Sequence, residues 1–260
     1  YSRIFEAPAP PKGSHALQNF SDIPNPYIME PPPPSARALQ AGEDFVFHMV
    51  LIGHAREQLA LVIFALQRAL DRGLTREHAD SDLQQVDYVD ATGKAQTIWT
   101  HAHPCLQEHQ NTIELIADYA SNIRARGELC LKIQTPLRLQ NQGRPLGVAE
   151  LTPRVLLSNL VRRTALLMEF HSDQKEWRES AKHIVQLSQT LHDTRPLRWY
   201  DWTRYSSRQQ QTMKLGGVLG NWILHGDENT LSQIYPWLWL GQWLHIGKNA
   251  TMGMGGYTLS

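Results

Sequence analysis

The order of the sequence signals predicts an α+β protein built from ferredoxin-like units. From Leu129 onward the segments read strand, helix, strand, strand, helix, strand, the βαββαβ order of that fold. Residues 43–99 read strand, helix, strand, which would be the later half of a second such unit. Hydrophobic residues make up 42% and charged residues 19% of the 260, a balance that buries a core and is unlike a disordered chain. We set a partial first domain, with a proline-rich lead and a linker helix, over residues 1–128, and a second domain over 129–260. The chain opens at Tyr1-Ser-Arg-Ile-Phe-Glu6 without an initiator Met. The first half of the first unit is therefore expected upstream of it.

Each element has its own signal. Nine of the fifteen prolines precede position 35, so the opening segment is expected to run extended over a surface. Asp44–Ile52 reads as a buried strand. Gly53 turns the chain into a helix whose Leu59, Val62, Ile63, Leu66 and Leu70 repeat at helical spacing, with Gly73 past its end. Gln85–Val89 and Gln96–Trp99 read as strands joined by the turn Asp90-Ala-Thr-Gly93. Ile113, Ile116, Ala120 and Ile123 make a helical stripe ending at Gly127. Leu129–Ile133 is a strand. Thr152-Pro153 starts a helix, with the cap residue first and proline at the first helical position, running to about Phe170. A second helix carries Trp177, Ala181, Ile184 and Leu191 on one face. Strand-like segments follow around Trp199–Tyr205 and Leu215–Leu224. A short helix from Leu231 is expected to break at Pro236, before a glycine-rich stretch from Gly247 to Gly256.

Charge and cysteine usage exclude several classes. Lys+Arg and Asp+Glu both number 25, which argues against an indiscriminate polyanion binder, so any anion site must be local. Two cysteines without a CxxC give no disulfide framework and suit a reducing, cytoplasmic compartment. No apolar run approaches the roughly 20 residues that a membrane helix needs.

Four constellations could carry chemistry. Gly247-Lys-Asn-Ala-Thr-Met-Gly-Met-Gly-Gly-Tyr257 brings glycines that let backbone amides approach a phosphate, with Lys248 adding charge. It matches neither a P-loop nor a dinucleotide fingerprint. A tight helix-to-strand connection explains the glycines equally well. Trp199-Tyr-Asp-Trp-Thr-Arg-Tyr-Ser-Ser-Arg-Gln-Gln-Gln-Thr-Met-Lys214 interleaves Arg204, Arg208 and Lys214 with aromatics. Arginine forks onto phosphates and aromatic faces stack on unpaired bases. The tryptophans are assigned to the core, where large aromatics usually pack, and the three cations to binding. His101, His103, Cys105 and His109 offer metal-ligand atoms, but alternate strand positions rarely close a tetrahedron, so the polar-linker reading is favoured. His48 and His54 flank the Gly53 turn, and His245 precedes the glycine-rich stretch. These are the histidines available for acid–base work near neutral pH, although a lone histidine more often packs or sits at the surface. No Ser-His-Asp signature, HExxH or acidic pair at motif spacing occurs.

Four segments in order, Asp201-Trp-Thr-Arg-Tyr-Ser-Ser-Arg-Gln209, Met213-Lys-Leu-Gly-Gly-Val-Leu-Gly220, Leu244-His-Ile-Gly-Lys248 and Gly253-Met-Gly-Gly-Tyr257, resemble the C-terminal domain of the CRISPR-associated precursor-crRNA processing endoribonucleases of the RAMP superfamily. Thr135-Pro-Leu-Arg-Leu139, Leu160-Val-Arg-Arg163, Leu51-Ile-Gly-His-Ala55 and Tyr1–Glu6 extend the resemblance more softly over most of the chain. The resemblance implies two ferredoxin-like (RRM-like) domains, a glycine-rich loop that contacts RNA, and a CRISPR repeat RNA as ligand. It also implies cleavage without metal or other cofactor, in which a base frees the ribose 2′-OH to attack the adjacent phosphate and leave a 2′,3′-cyclic phosphate. RNA-contact candidates are then Arg204, Arg208, Lys214, Gly247, Lys248, Gly253, Gly255 and Gly256. That family often carries its catalytic histidine early in the first domain, in the part expected upstream, so His54, then His48 and His245, stand as candidates here. The neutral charge keeps a second reading open: a non-catalytic subunit of the same fold that holds the crRNA end among other CRISPR effector subunits.

Overall fold

The computed structural model describes residues 4–5, 23–32, 39–74, 78–109, 127–173, 177–201, 203–206 and 211–260. The chain divides into two compact units, one of Tyr1–Gly53 with Ala120–Ser260 and one of His54–Tyr119. The fold is mixed α/β, and among the described residues every strand pairing is antiparallel.

The larger unit centres on one sheet. Strand β5 (Glu128–Leu137) alternates buried and exposed residues, the mark of a sheet covered on one face. Helix α2 (Pro153–His171) starts where its signal placed it, because the Thr152 side chain accepts from the Val155 amide and Pro153 takes the first helical position. Helix α3 (Trp177–Leu187), β8 (His192–Thr194) and β9 (Leu197–Tyr200) follow, then β10 (Thr203–Ser206) and β11 (Gln211–Lys214). β12 (Gly217–His225), α4 (Glu228–Leu244) and β13 (Tyr257–Leu259) close the order. The sheet runs β13-β5-β12-β8, with β9 also on β12. Counting β8 and β9 together as the second strand, the spatial order is fourth, first, third, second. The core joins Leu129, Leu131, Ile133 and Leu137 of β5 to Trp222 and Leu224 of β12, Leu156, Leu157 and Leu160 of α2, Ile184 of α3, and Leu231, Ile234 and Leu238 of α4.

α4 corrects two expectations. It begins at Glu228, where Asp227 accepts from the Thr230 amide, and Pro236 sits inside it without ending it. An interior proline costs about 3 kcal/mol. Burial of Leu231, Ile234, Leu238 and Trp239, at roughly 1.5–3 kcal/mol for each such aliphatic side chain, outweighs that cost.

The same unit holds a short ribbon, β1 (Tyr27–Glu30) with β2 (His48–Leu51). β1 emerges inside the proline-rich lead, where only extended chain was expected, and Ile28 is fully buried. The expected strand over 44–52 shrinks to 48–51. Glu30 pairs with His48, so the next partner along would be Pro31, which has no amide to donate. A small two-stranded ribbon, β6 (Gln140–Asn141) and β7 (Arg144–Pro145), completes the described strands of this unit.

The second unit contains a 3₁₀ turn (Gly53–Gln58, beginning at the boundary residue), α1 (Leu59–Leu70), and the hairpin β3 (Gln85–Val89) and β4 (Ala95–Thr100). The Asp90 carboxylate accepts from the Thr92 amide and hydroxyl and from the Lys94 amide, building the predicted turn. The stripe over 113–123 lies outside the described residues. No described helix is long and apolar enough to cross a membrane.

Candidate nucleic-acid interface

The glycine-rich segment is docked into an irregularity of β5. The β5–β12 ladder pairs Ile133 with Gly220 and Leu137 with Val218, so three residues on β5 oppose one on β12. Pro136 cannot donate to a ladder, and this freed stretch turns to the loop instead. The Gln134 and Thr135 amides donate to Gly256 O, at 2.9 and 3.2 Å. The Thr135 hydroxyl donates to Gly253 O at 2.6 Å and accepts from the Gly256 amide at 2.8 Å. The Gly255 amide reaches Pro136 O, and the Lys248 amide reaches Arg138 O.

The glycines are required by this packing. At Gly255, φ is +73° and a Cβ would stand 1.8 Å from Ile246 O; at Gly253, φ is +83° and a Cβ would stand 2.8 Å from Met29 O. Gly253, Gly255 and Gly256 are buried and Gly247 half-buried. The amides of Lys248, Met252, Gly253, Gly255 and Gly256 all donate within the protein. Of the two readings of this stretch, the tight connection accounts for the glycines. What the loop presents outward is the exposed Lys248 and Met252.

His245 caps α4 with φ +53° and is 3% exposed. Its Nδ1 lies 3.1 Å from Met254 O and its Nε2 lies 2.8 Å from Glu30 Oε1. Both nitrogens lie within hydrogen-bonding distance of protein oxygens, which leaves neither nitrogen to a ribose hydroxyl. The His245 hydrogen bond is the main force holding the Glu30 carboxyl below the usual carboxylate range, against burial; the charges of His245 and His48 add to it. His48 is exposed, on the ladder position opposite Glu30. His54 belongs to the second unit and is exposed, its Nδ1 3.4 Å from Glu57 Oε1.

β10 and β11 continue the β9–β12 ladder without slip. Tyr200 pairs with Gly217, and Thr203 then pairs with Lys214 and Arg204 with Met213. Arg204 and Lys214 thus sit on the paired strands β10 and β11, and Arg208 lies outside the described residues. Arg138 ties the base of that hairpin to the loop: its guanidinium donates to Gly216 O at 2.9 Å while its carbonyl accepts from Lys248. Elsewhere, His101, His103 and Cys105 are exposed, and the His109 ring lies 5.2 Å from that of Tyr88. Among the described residues no three His, Cys, Asp or Glu side chains converge as a metal site.

Glu30, Thr135 and Arg138 were not among the sequence candidates. Thr135-Pro-Leu-Arg138 was visible as a resembling segment, but its role as the seat of the loop depends on long-range pairing. Nothing local marks Glu30.

Comparisons with known proteins bear on the fold. A family model described as CRISPR-associated endoribonuclease Cas6 matches residues 131–257, and a model described as an N-terminal domain matches residues 1–111. Among solved structures, a Cas6 product complex is 14% identical, with a TM-score of 0.53, covering 91% of this chain and 82% of that one. Thermus thermophilus Cas6 is 14% identical with the same TM-score, covering 90% and 79%. A partial Cas6–RT–Cas1–Cas2 complex is 15% identical with a TM-score of 0.51, covering 90% of this chain and 38% of that one. No curated protein matches the chain.

Proposed function

We propose, from the match of residues 131–257 to the family model described as CRISPR-associated endoribonuclease Cas6, that this chain is a member of that family, binds CRISPR repeat RNA and cuts precursor crRNA without a metal ion. The observation that carries the proposal is the docked glycine-rich segment, which lies inside the family match over residues 131–257 and is seated on the β5 irregularity.

The chemistry needs little from the protein beyond position and charge. A general base takes the proton of the ribose 2′-OH, the 2′ oxygen attacks the neighbouring phosphorus, and the 5′ oxygen leaves with a proton, giving a 2′,3′-cyclic phosphate. The nucleophile belongs to the substrate, so RNA held in line supplies most of the advantage. Cations near the phosphate stabilise its added charge. We assign phosphate contact to Arg204, Arg208, Lys214 and Lys248, which would steer RNA in a chain of zero net charge. Base duty falls to an accessible histidine. Between His48 and His54 we favour His48, because it stands opposite the Glu30 carboxylate and on the same ribbon that the loop grips.

The reading extends to architecture. We take residues 129–260 as a ferredoxin-like domain, supported by the spatial strand order and the one buried face of β5. We take 1–128 as part of a second such domain, supported by the separate match over 1–111. The cytoplasm suits a protein of this kind, and CRISPR proteins are proposed partners, since a structure of similar fold is described as a partial Cas6–RT–Cas1–Cas2 complex.

Cleavage of repeat RNA in EDTA by the wild type, His48→Ala and His54→Ala chains tests the assignment. Loss of cutting with retained binding in His48→Ala supports it. Retained cutting in both variants overturns the assignment of the base. Binding without cutting by the wild type favours the alternative, a non-catalytic RNA-holding subunit, to which the engaged nitrogens of His245 already lend weight.

A further inference from the structure

The geometry points to a stacking site for one unpaired RNA base on the Trp199 indole, an inference that rests on the RNA reading above and names a feature of its substrate. Tryptophans were expected in the core, and Trp222 and Trp239 are there, at 0% and 6% exposure. Trp199 departs from that pattern at 40%. Its position is nevertheless fixed. On β9 it pairs with the core residue Val218, so its stem leaves the sheet on the core side, at the sheet edge. Nε1–H donates to Asp201 Oδ1 at 2.8 Å. Three adjacent edge atoms, Nε1, Cε2 and Cζ2, lie 2.5–2.8 Å from where a Cβ on Gly216 would stand, so only glycine lets the ring seat there.

An indole tied by its polar edge and lodged by glycine presents ring surface that the protein does not cover. Such a ring, already immobile, loses little entropy when a base stacks on it. The surroundings favour a nucleotide over an apolar partner. The residue that receives the ring, Gly216, has its carbonyl held by the Arg138 guanidinium. Arg138 in turn holds the backbone of the exposed Lys248, so one residue connects the aromatic platform to a phosphate-seeking cation. Lys214 of the same hairpin precedes Gly216 by two positions.

The test is binding of the CRISPR repeat RNA from the same genome, carrying 2-aminopurine at each unpaired position in turn, by the wild type, Trp199→Leu and Trp199→Phe chains. Stacking predicts quenched 2-aminopurine fluorescence at one position with the wild type and with Trp199→Phe. It predicts loss of that quench with Trp199→Leu, and affinity weakened roughly tenfold with the slope of log affinity against log salt unchanged, because no phosphate contact is removed. Equal affinity and no position-specific quench in the wild type and Trp199→Leu, while Lys248→Ala still weakens binding, would overturn the stacking site and leave the RNA reading standing. No binding by the wild type would overturn both. Near-ultraviolet circular dichroism of Trp199→Phe and Trp199→Leu establishes that the compared chains are folded.

Discussion

His245 and Glu30, 215 positions apart, meet at 2.8 Å and fasten the β1–β2 ribbon to the end of α4. The contact docks β1 against the start of the glycine-rich segment, and it makes that junction sensitive to charge. Glu30→Gln keeps the shape and removes the carboxylate from a buried imidazole. Urea unfolding should show a loss of about 1 kcal/mol, less than the roughly 1.5–3 kcal/mol of a hydrogen bond to a charged group because Glu30 is partly solvated.

The same pair sets a pH dependence. The folded Glu30 carboxyl titrates below its ordinary value. Its contribution to stability is therefore complete above about pH 4.5 and is lost as pH falls through the lowered folded value. The stability gap between wild type and Glu30→Gln, followed by urea titration, should close as pH falls below that value. A gap that widens on acidification would contradict the pairing.

Gly255→Ala should be severe, because a Cβ would collide with the Ile246 carbonyl where φ is already +73°. A loss of at least ~2 kcal/mol is expected from strain alone. Gly93→Ala provides the comparison: φ is +84° with nothing within 4 Å, so only the backbone term of about 1 kcal/mol applies. Thermal unfolding of the two variants side by side separates collision from conformational preference.

Thr135→Val should cost roughly 2–3 kcal/mol, since it leaves the Gly253 carbonyl and the Gly256 amide without their shared partner. Repeat-RNA affinity measured well below the unfolding temperature should fall with it if the loop's seating matters for binding.

Arg204→Ala combined with Arg208→Ala should weaken repeat-RNA binding and reduce the slope of log affinity against log salt by about 1.4–1.8, the release expected for two phosphate contacts. The urea midpoint should not move. An unchanged slope would remove these two residues from the interface.

Local signals carried much of the fold. The Thr152-Pro153 cap, the Asp90 turn and the strand at Leu129–Ile133 are written within a few residues, and each appears where the sequence placed it, the strand running on to Leu137. Failures occurred where distant partners decided the outcome. β1 was hidden among prolines because its pairing with β2 and the burial of Ile28 are long-range. Pro236 did not break α4 because the buried face around it outweighs one missing hydrogen bond. The site was legible in part. Glycine spacing marked the loop, but only the β5 irregularity shows that those glycines serve packing, and the exposure of Trp199 depends on Gly216, seventeen positions away.

Mapping both ends of the products formed from repeat RNA in EDTA tests the central claim most directly. The account predicts one cut, with a 2′,3′-cyclic phosphate on the upstream fragment and a 5′-hydroxyl on the downstream one. Intact RNA, or a cut that requires Mg²⁺ and leaves a 3′-hydroxyl, would contradict it.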